Sequence, residues 1–182
     1  SEDSVQEALM SGHRLGFIGG TDTHFGQPGH GPHDAGEGGG LAAVYADALT
    51  REEIFDAIYE RYCYATNGPR IILDFSVEGH RMGEEFSLTK DNNTKPRKIR
   101  FTVAGTEKIE KVEIIRNGDV VQSWSPYKLV FSACWRDEEP VKNLLISPKY
   151  PNDHPFMFYY CRITQRDRGM AWSSPVWITI KN

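Results

Sequence analysis

Between Ile71 and Ile180 the sequence is a succession of short apolar runs broken by turn residues, with no helical period between them. "IILDFSV" ends in Glu78-Gly79-His80, and "KPRKIRFTVAG" follows the polar break from Lys90 to Lys95. "IEKVEIIRNGDVVQSW" reads as a hairpin, because Asn117-Gly118 supplies the two positive φ angles of a type I′ turn. "KLVFSACW", "FMFYYCRITQ" and "MAWSSPVWITI" complete the series, the last two joined through Asp167-Arg168-Gly169. Strands joined this way pair antiparallel, and their number predicts a β-sandwich over residues 70–182. Tyr159 two residues before Cys161, with Trp124 and Trp135 for the core, suits an immunoglobulin-like version.

The first 69 residues follow another pattern. Ser4 caps a short predicted helix that runs to Ser11 and stops at Gly12, and Leu15–Ile18 reads as a short buried strand. A glycine-rich segment without periodicity extends from Gly19 to Gly40, and "LAAVYA" at 41–46 reads as a second strand. Thr50 and Glu53 form a capping box before a helix that runs to about Arg61, with Ile54, Phe55, Ala57 and Ile58 on its inner side. Strand, loop, strand, helix is the grammar of an α/β layer. The expected fold class is therefore α+β: a partial α/β barrel remnant at 1–69, then the antiparallel sandwich at 70–182.

Composition excludes several function classes. The net charge of −4 offers no basic stripe for nucleic acid. No apolar run approaches the roughly 20 residues of a membrane-spanning helix. A chain that opens on Ser is expected to be processed or cut from a longer one. Cys63, Cys134 and Cys161 form no CxxC pair, so three buried thiols are expected, with a Cys134–Cys161 bridge as the alternative. No GxSxG elbow is present for a serine esterase.

The chemistry concentrates in "GFIGGTDTHF". In extended backbone, residues i and i+2 share a face, so Asp22 and His24 aim together about 6.5 Å apart. A carboxylate and a neutral imidazole suit zinc, manganese or iron. The ordinary alternative is an Asp that accepts backbone amides in a turn, with the imidazole in solvent. His30 and His33 are weaker candidate ligands, more simply read as exposed loop residues. Arg70, in "NGPRI", is a weak candidate for phosphate, because a guanidinium fork matches phosphate oxygens, or else it pairs with a surface acid. Gly38-Gly39-Gly40 reads as slack for a moving lid, or as an anion-binding nest.

"GHRLGFIGGTDTHFGQPG" followed by "GGLAAVYADALTREEIFDAIYERYCYATNGPRIILDFSVEGHRMG" resembles the closing portion of PHP-type proteins, the polymerase and histidinol phosphatase superfamily of metal-dependent phosphoesterases. The nearest resemblance is to a bacterial subfamily of uncharacterised function in which a distorted α/β barrel precedes a β-sandwich. The likeness runs from Gly12 to about Gly83, and more diffusely through "YYCRITQRDRGMAWSSPVWI". It implies that Asp22 and His24 are the last metal motif of a multinuclear centre. That centre would hydrolyse a phosphorylated small molecule or a phosphodiester, with metal ions neutralising the developing charge. The superfamily's His-x-His is absent from this sequence. Two ligands are expected to hold metal poorly or not at all, and this chain is expected to be inactive by itself. Exposed barrel strands imply self-association. The rival expectation is a non-enzymatic β-sandwich binding or structural module with an N-terminal docking element.

Overall fold

The computed structural model describes residues 4–21, 24, 39–89, 94–149 and 154–180. Its strands join in one 11-stranded, almost entirely antiparallel sheet that curls into a half-barrel. This overturns the expected α+β class. Among the described residues there is no α/β barrel remnant, and the later strands do not separate into two stacked sheets of an immunoglobulin-like sandwich.

The reason lies in how the first region returns on itself. β1 (Leu41–Val44) leads into α2 (Arg51–Tyr59), and β2 (Cys63–Thr66) comes back antiparallel to β1, whereas a barrel unit would return parallel. β2 then hydrogen-bonds to β10 (Met170–Ser173), so the first region is built into the same sheet as the last. β10 continues to β9 (Phe156–Gln165), then to β6 (Arg97–Arg116), β3 (Ile72–Val77) and β4 (His80–Arg81). β7 (Asp119–Trp124) and β8 (Lys128–Asp137) each pair with β6. β11 (Val176–Ile180) pairs antiparallel with β9 and parallel with β5 (Glu85–Leu88), the one parallel pair among the described strands. Tyr45 and Tyr64 stitch β3 to this arrangement: their hydroxyls donate to Leu73 O at 2.6 Å and Ile71 O at 2.8 Å.

Both helices start as their caps dictate. The Ser4 hydroxyl accepts from Glu7 N at 3.2 Å to open α1 (Val5–Met10), and the Thr50 hydroxyl accepts from Glu53 N at 3.2 Å to open α2. α2 stops where Arg61 turns to a φ of 64°, and it buries Ala57 while Phe55 and Ile58 face solvent. Its predicted inner face is therefore only half used. Leu15–Ile18 joins no strand pair; it crosses over a sheet face, held by a bond from Phe17 N to Ser174 Oγ at 2.8 Å.

β6 is one strand with a corner. Twenty extended residues would span roughly 60 Å, yet Arg97 at its start and Arg116 at its end both reach Asp137 Oδ2, at 3.0 and 2.7 Å. The bend falls where pairing with β8 slips between Ala104 and Ile109. There the fully buried Gln165 accepts from Thr106 N and Glu107 N at 2.8 and 3.3 Å. Asn117 and Gly118 take the predicted positive φ angles in the β6–β7 turn.

β9 divides the interior. Met157, Tyr159, Cys161 and Ile163 point into the larger core cluster, with Leu73, Phe75, Val103, Val112 and Ile178. Phe156, Phe158 and Tyr160 point to the other face, with Leu9, Ile115 and Trp177. Trp124 and Trp135 pack half-buried at the margin of the larger cluster. Tyr159 closes no tyrosine corner: its hydroxyl donates to Asp137 at 2.5 Å and accepts from Arg97 at 3.1 and 3.2 Å. Of the three cysteines, Cys63 and Cys161 are buried, but Cys134 is exposed on β8 opposite Arg100, and all three are free.

Candidate functional site

Three backbone segments converge just before the Asp-x-His motif of the sequence. A Cβ on Gly19 would stand 2.8 Å from Leu41 O and 2.8 Å from Thr66 O. A Cβ on Gly40 would stand 2.9 Å from Gly20 N, and one on Gly39 would stand 2.6 Å from Thr21 Cγ2. Real Cβ atoms do not approach this closely, so glycine is required for the chain to leave at Thr21 and return at Gly39 beside the end of β2. The glycines read from sequence as slack are close-approach residues, at least at 39 and 40. Thr21 and Gly39 therefore lie side by side, although 17 residues separate them in the sequence.

Asp22, His24, His30 and His33 fall between these two positions in the sequence. His24 is exposed. Asp22, His30 and His33 lie outside the described residues, as does Gly38. Arg70 is exposed four residues beyond the end of β2 and forms no ion pair among the described residues. His80 is structural: it stacks on Phe86 at 4.1 Å and meets Glu84 Oε2 at 2.9 Å. Among the described residues, no group of three or more His, Cys, Asp or Glu stands where it could hold a metal ion.

A second feature was not visible in the sequence. α1 and the segment 15–18 lie over the face of β9 and β10 and leave between them a cavity of about 420 Å³. Its lining is mostly apolar, with Val5, Leu15, Phe17, Ile18 and Trp172, and it has one polar end formed by Gln6, Tyr160 and Arg162. Phe17 meets Tyr160 edge to face at 5.5 Å, and Gln6 Nε2 donates to the Tyr160 hydroxyl at 3.1 Å. Arg162 Nε donates to Glu113 Oε2 at 2.7 Å, and Lys111 Nζ meets Glu113 Oε1 at 2.7 Å. Burial alone would raise the Glu113 carboxyl, but the bonds from Arg162 and Lys111 outweigh it and hold the group below its ordinary value. The available signal was the alternation Phe158, Tyr160, Arg162 along one face of β9. Nothing local in the sequence says that residues 5–18 cover that face.

A family model described as "Protein of unknown function (DUF3604)" matches residues 30–98, which contain Gly39 and Gly40, β1, α2, β2 and β3. The chain is 38% identical over 192 residues to an uncharacterised protein of Chlamydia pneumoniae, a match that takes in 99% of this chain and 30% of that protein. It is 37% identical over 186 residues to an uncharacterised protein of Chlamydia trachomatis, covering 98% of this chain and 29% of the relative. A Chlamydia muridarum protein is 43% identical over 143 residues, covering 78% and 23%. The crystal structure of an engineered protein overlaps 64% of this chain and 21% of its own, at 16% identity and a TM-score of 0.30. The chain spans about 30% or less of the length of the curated relatives it matches.

Proposed function

We propose that this chain supplies the closing Asp-x-His ligand pair, Asp22 and His24, to a metal-dependent phosphoesterase or hydrolase of PHP type. The observation that carries the reading is the glycine throat: it holds Thr21 and Gly39 together at the end of β2, and the sequence between them bears two aspartates and three histidines. The greater length of the relatives supports it, since it leaves room for the remaining ligands elsewhere in a longer polypeptide. The ligand types favour zinc, manganese or iron. The cavity beside Arg162 favours a second reading, a β-rich binding module, on observations that do not involve the throat.

The test has two arms. The 182-residue chain, dialysed against zinc, manganese or iron, is expected to retain less than one ion per chain and to hydrolyse para-nitrophenyl phosphate no faster than buffer. The longest natural polypeptide containing this sequence is expected to retain metal by elemental analysis, and to lose metal and hydrolysis together on Asp22→Ala. Unchanged metal content and unchanged hydrolysis in that variant would remove the enzyme reading.

The same reading carries self-association. β1 ends the sheet, and among the described strands its outer edge is unpaired. An open edge is a template for another chain, and a charged residue blunts it. Light scattering is expected to show a dimer or larger species that Ala42→Lys shifts toward monomer. A monomer at every concentration would contradict the proposal.

A further inference from the structure

We propose that the cavity between the N-terminal cover and the sheet is a binding site for a small, flat, apolar carboxylate. This stands independently of the metal reading. A volume of about 420 Å³ is in the range of small-molecule sites, which are apolar with a few placed polar groups. Trp172 and Ala65 form the sheet side, Leu15 and Phe17 the cover, and the exposed side chains of Val5 and Ile18 the rim.

The polar end selects the charge. Glu113 is buried and receives two cations, Arg162 and Lys111, so the trio carries a net charge of about +1 at neutral pH. The bond from Nε to Glu113 fixes the plane of the Arg162 guanidinium, whose side chain is 29% exposed and lines the cavity. A guanidinium held this way is pre-organised to take a further carboxylate through its Nη edge. Gln6 and the Tyr160 hydroxyl stand at the same end and add polar partners for the second carboxylate oxygen. A neutral ligand would cover the guanidinium without balancing it, and a cation would be repelled. A phosphate dianion would call for more than one cation at the cavity, and of the pair on Glu113 only Arg162 lines it. The aromatic sides formed by Trp172 and Phe17 favour a flat ligand body.

The experiment is calorimetric titration of the 182-residue chain with 2-naphthoate and with its neutral counterpart, 2-naphthamide. Naphthoate is expected to bind about tenfold more tightly, the size of one charge-assisted bond pair. Arg162→Gln should bring the two ligands to equal affinity. Ile18→Glu places a like charge on an exposed rim position where folding does not depend on the side chain. It should weaken naphthoate several-fold and leave naphthamide unchanged, and it decides the matter alone if Arg162→Gln fails to fold. No naphthoate binding at millimolar concentration would overturn the proposal. So would equal affinity of the two ligands for the wild-type chain, or a naphthoate preference that Ile18→Glu leaves undiminished.

Discussion

Replacing Asp137 by alanine is expected to destabilise the protein by about 3–5 kcal/mol, because it leaves buried positive charge without its partner. Asp137 is 3% exposed and Arg97 is 1% exposed. One carboxylate oxygen takes Arg97, Arg116 and the Tyr159 hydroxyl at 3.0, 2.7 and 2.5 Å, while the other accepts Glu139 N at 3.1 Å. The readout is the urea midpoint, which should fall with its slope unchanged. Burial by itself would raise the Asp137 carboxyl, but the hydrogen bonds from Tyr159, Arg116 and the Glu139 amide, with the charge of Arg97, hold it below its ordinary value. A folded-state value below the unfolded one gives stability that is complete above about pH 4 and lost as pH falls through the folded value. Asp137→Asn removes that loss, so its stability should depend less on pH below about 4, with the Glu113 contribution remaining. If Asp137→Asn matched wild type at pH 7, the carboxylate would not be what holds the two arginines.

Trp177→Ala is expected to cost a similar amount, about 3–5 kcal/mol, as a large side chain leaves a fully buried position on β11. Arg14 and Arg61 both lie over its ring, at 5.7 and 5.5 Å, so Trp177 anchors the segment after α1 and the turn after α2. Limited proteolysis should therefore cut the alanine variant within residues 10–21 faster than it cuts wild type. Trp177→Phe should cost much less, because the indole Nε1 has no hydrogen-bond partner to lose. A phenylalanine variant as unstable as the alanine one would refute this account of the site.

Most strands were legible in the sequence because alternation and turn chemistry are local. Asn117-Gly118 marks its hairpin whatever surrounds it, and Thr50 caps α2 through an amide three residues away. The assembly was not legible, because pairing partners are chosen by distant surfaces. "LAAVYA" and the helix after it suggest a parallel unit, and only β10, far along the chain, shows that β2 is committed to an antiparallel sheet. Asp137 reads in "WRDEEP" as one acid of a solvated turn, and nothing nearby announces that both ends of β6 will reach it. At the candidate site the Asp-x-His motif stands in the sequence, and the throat beside it could not be read there. A glycine needed for flexibility and a glycine needed because another backbone lies where its Cβ would be look the same on paper.

The pairing of β2 with β10 sets an order of events during synthesis. The two strands lie about a hundred residues apart, and contacts of that separation form late and slowly. A nascent polypeptide emerging from the ribosome would carry β1, α2 and β2 with one flank unsatisfied until residues 156–180 had been made. During that interval the flank of β2 that later takes β10 would be open, and chaperone capture is expected there.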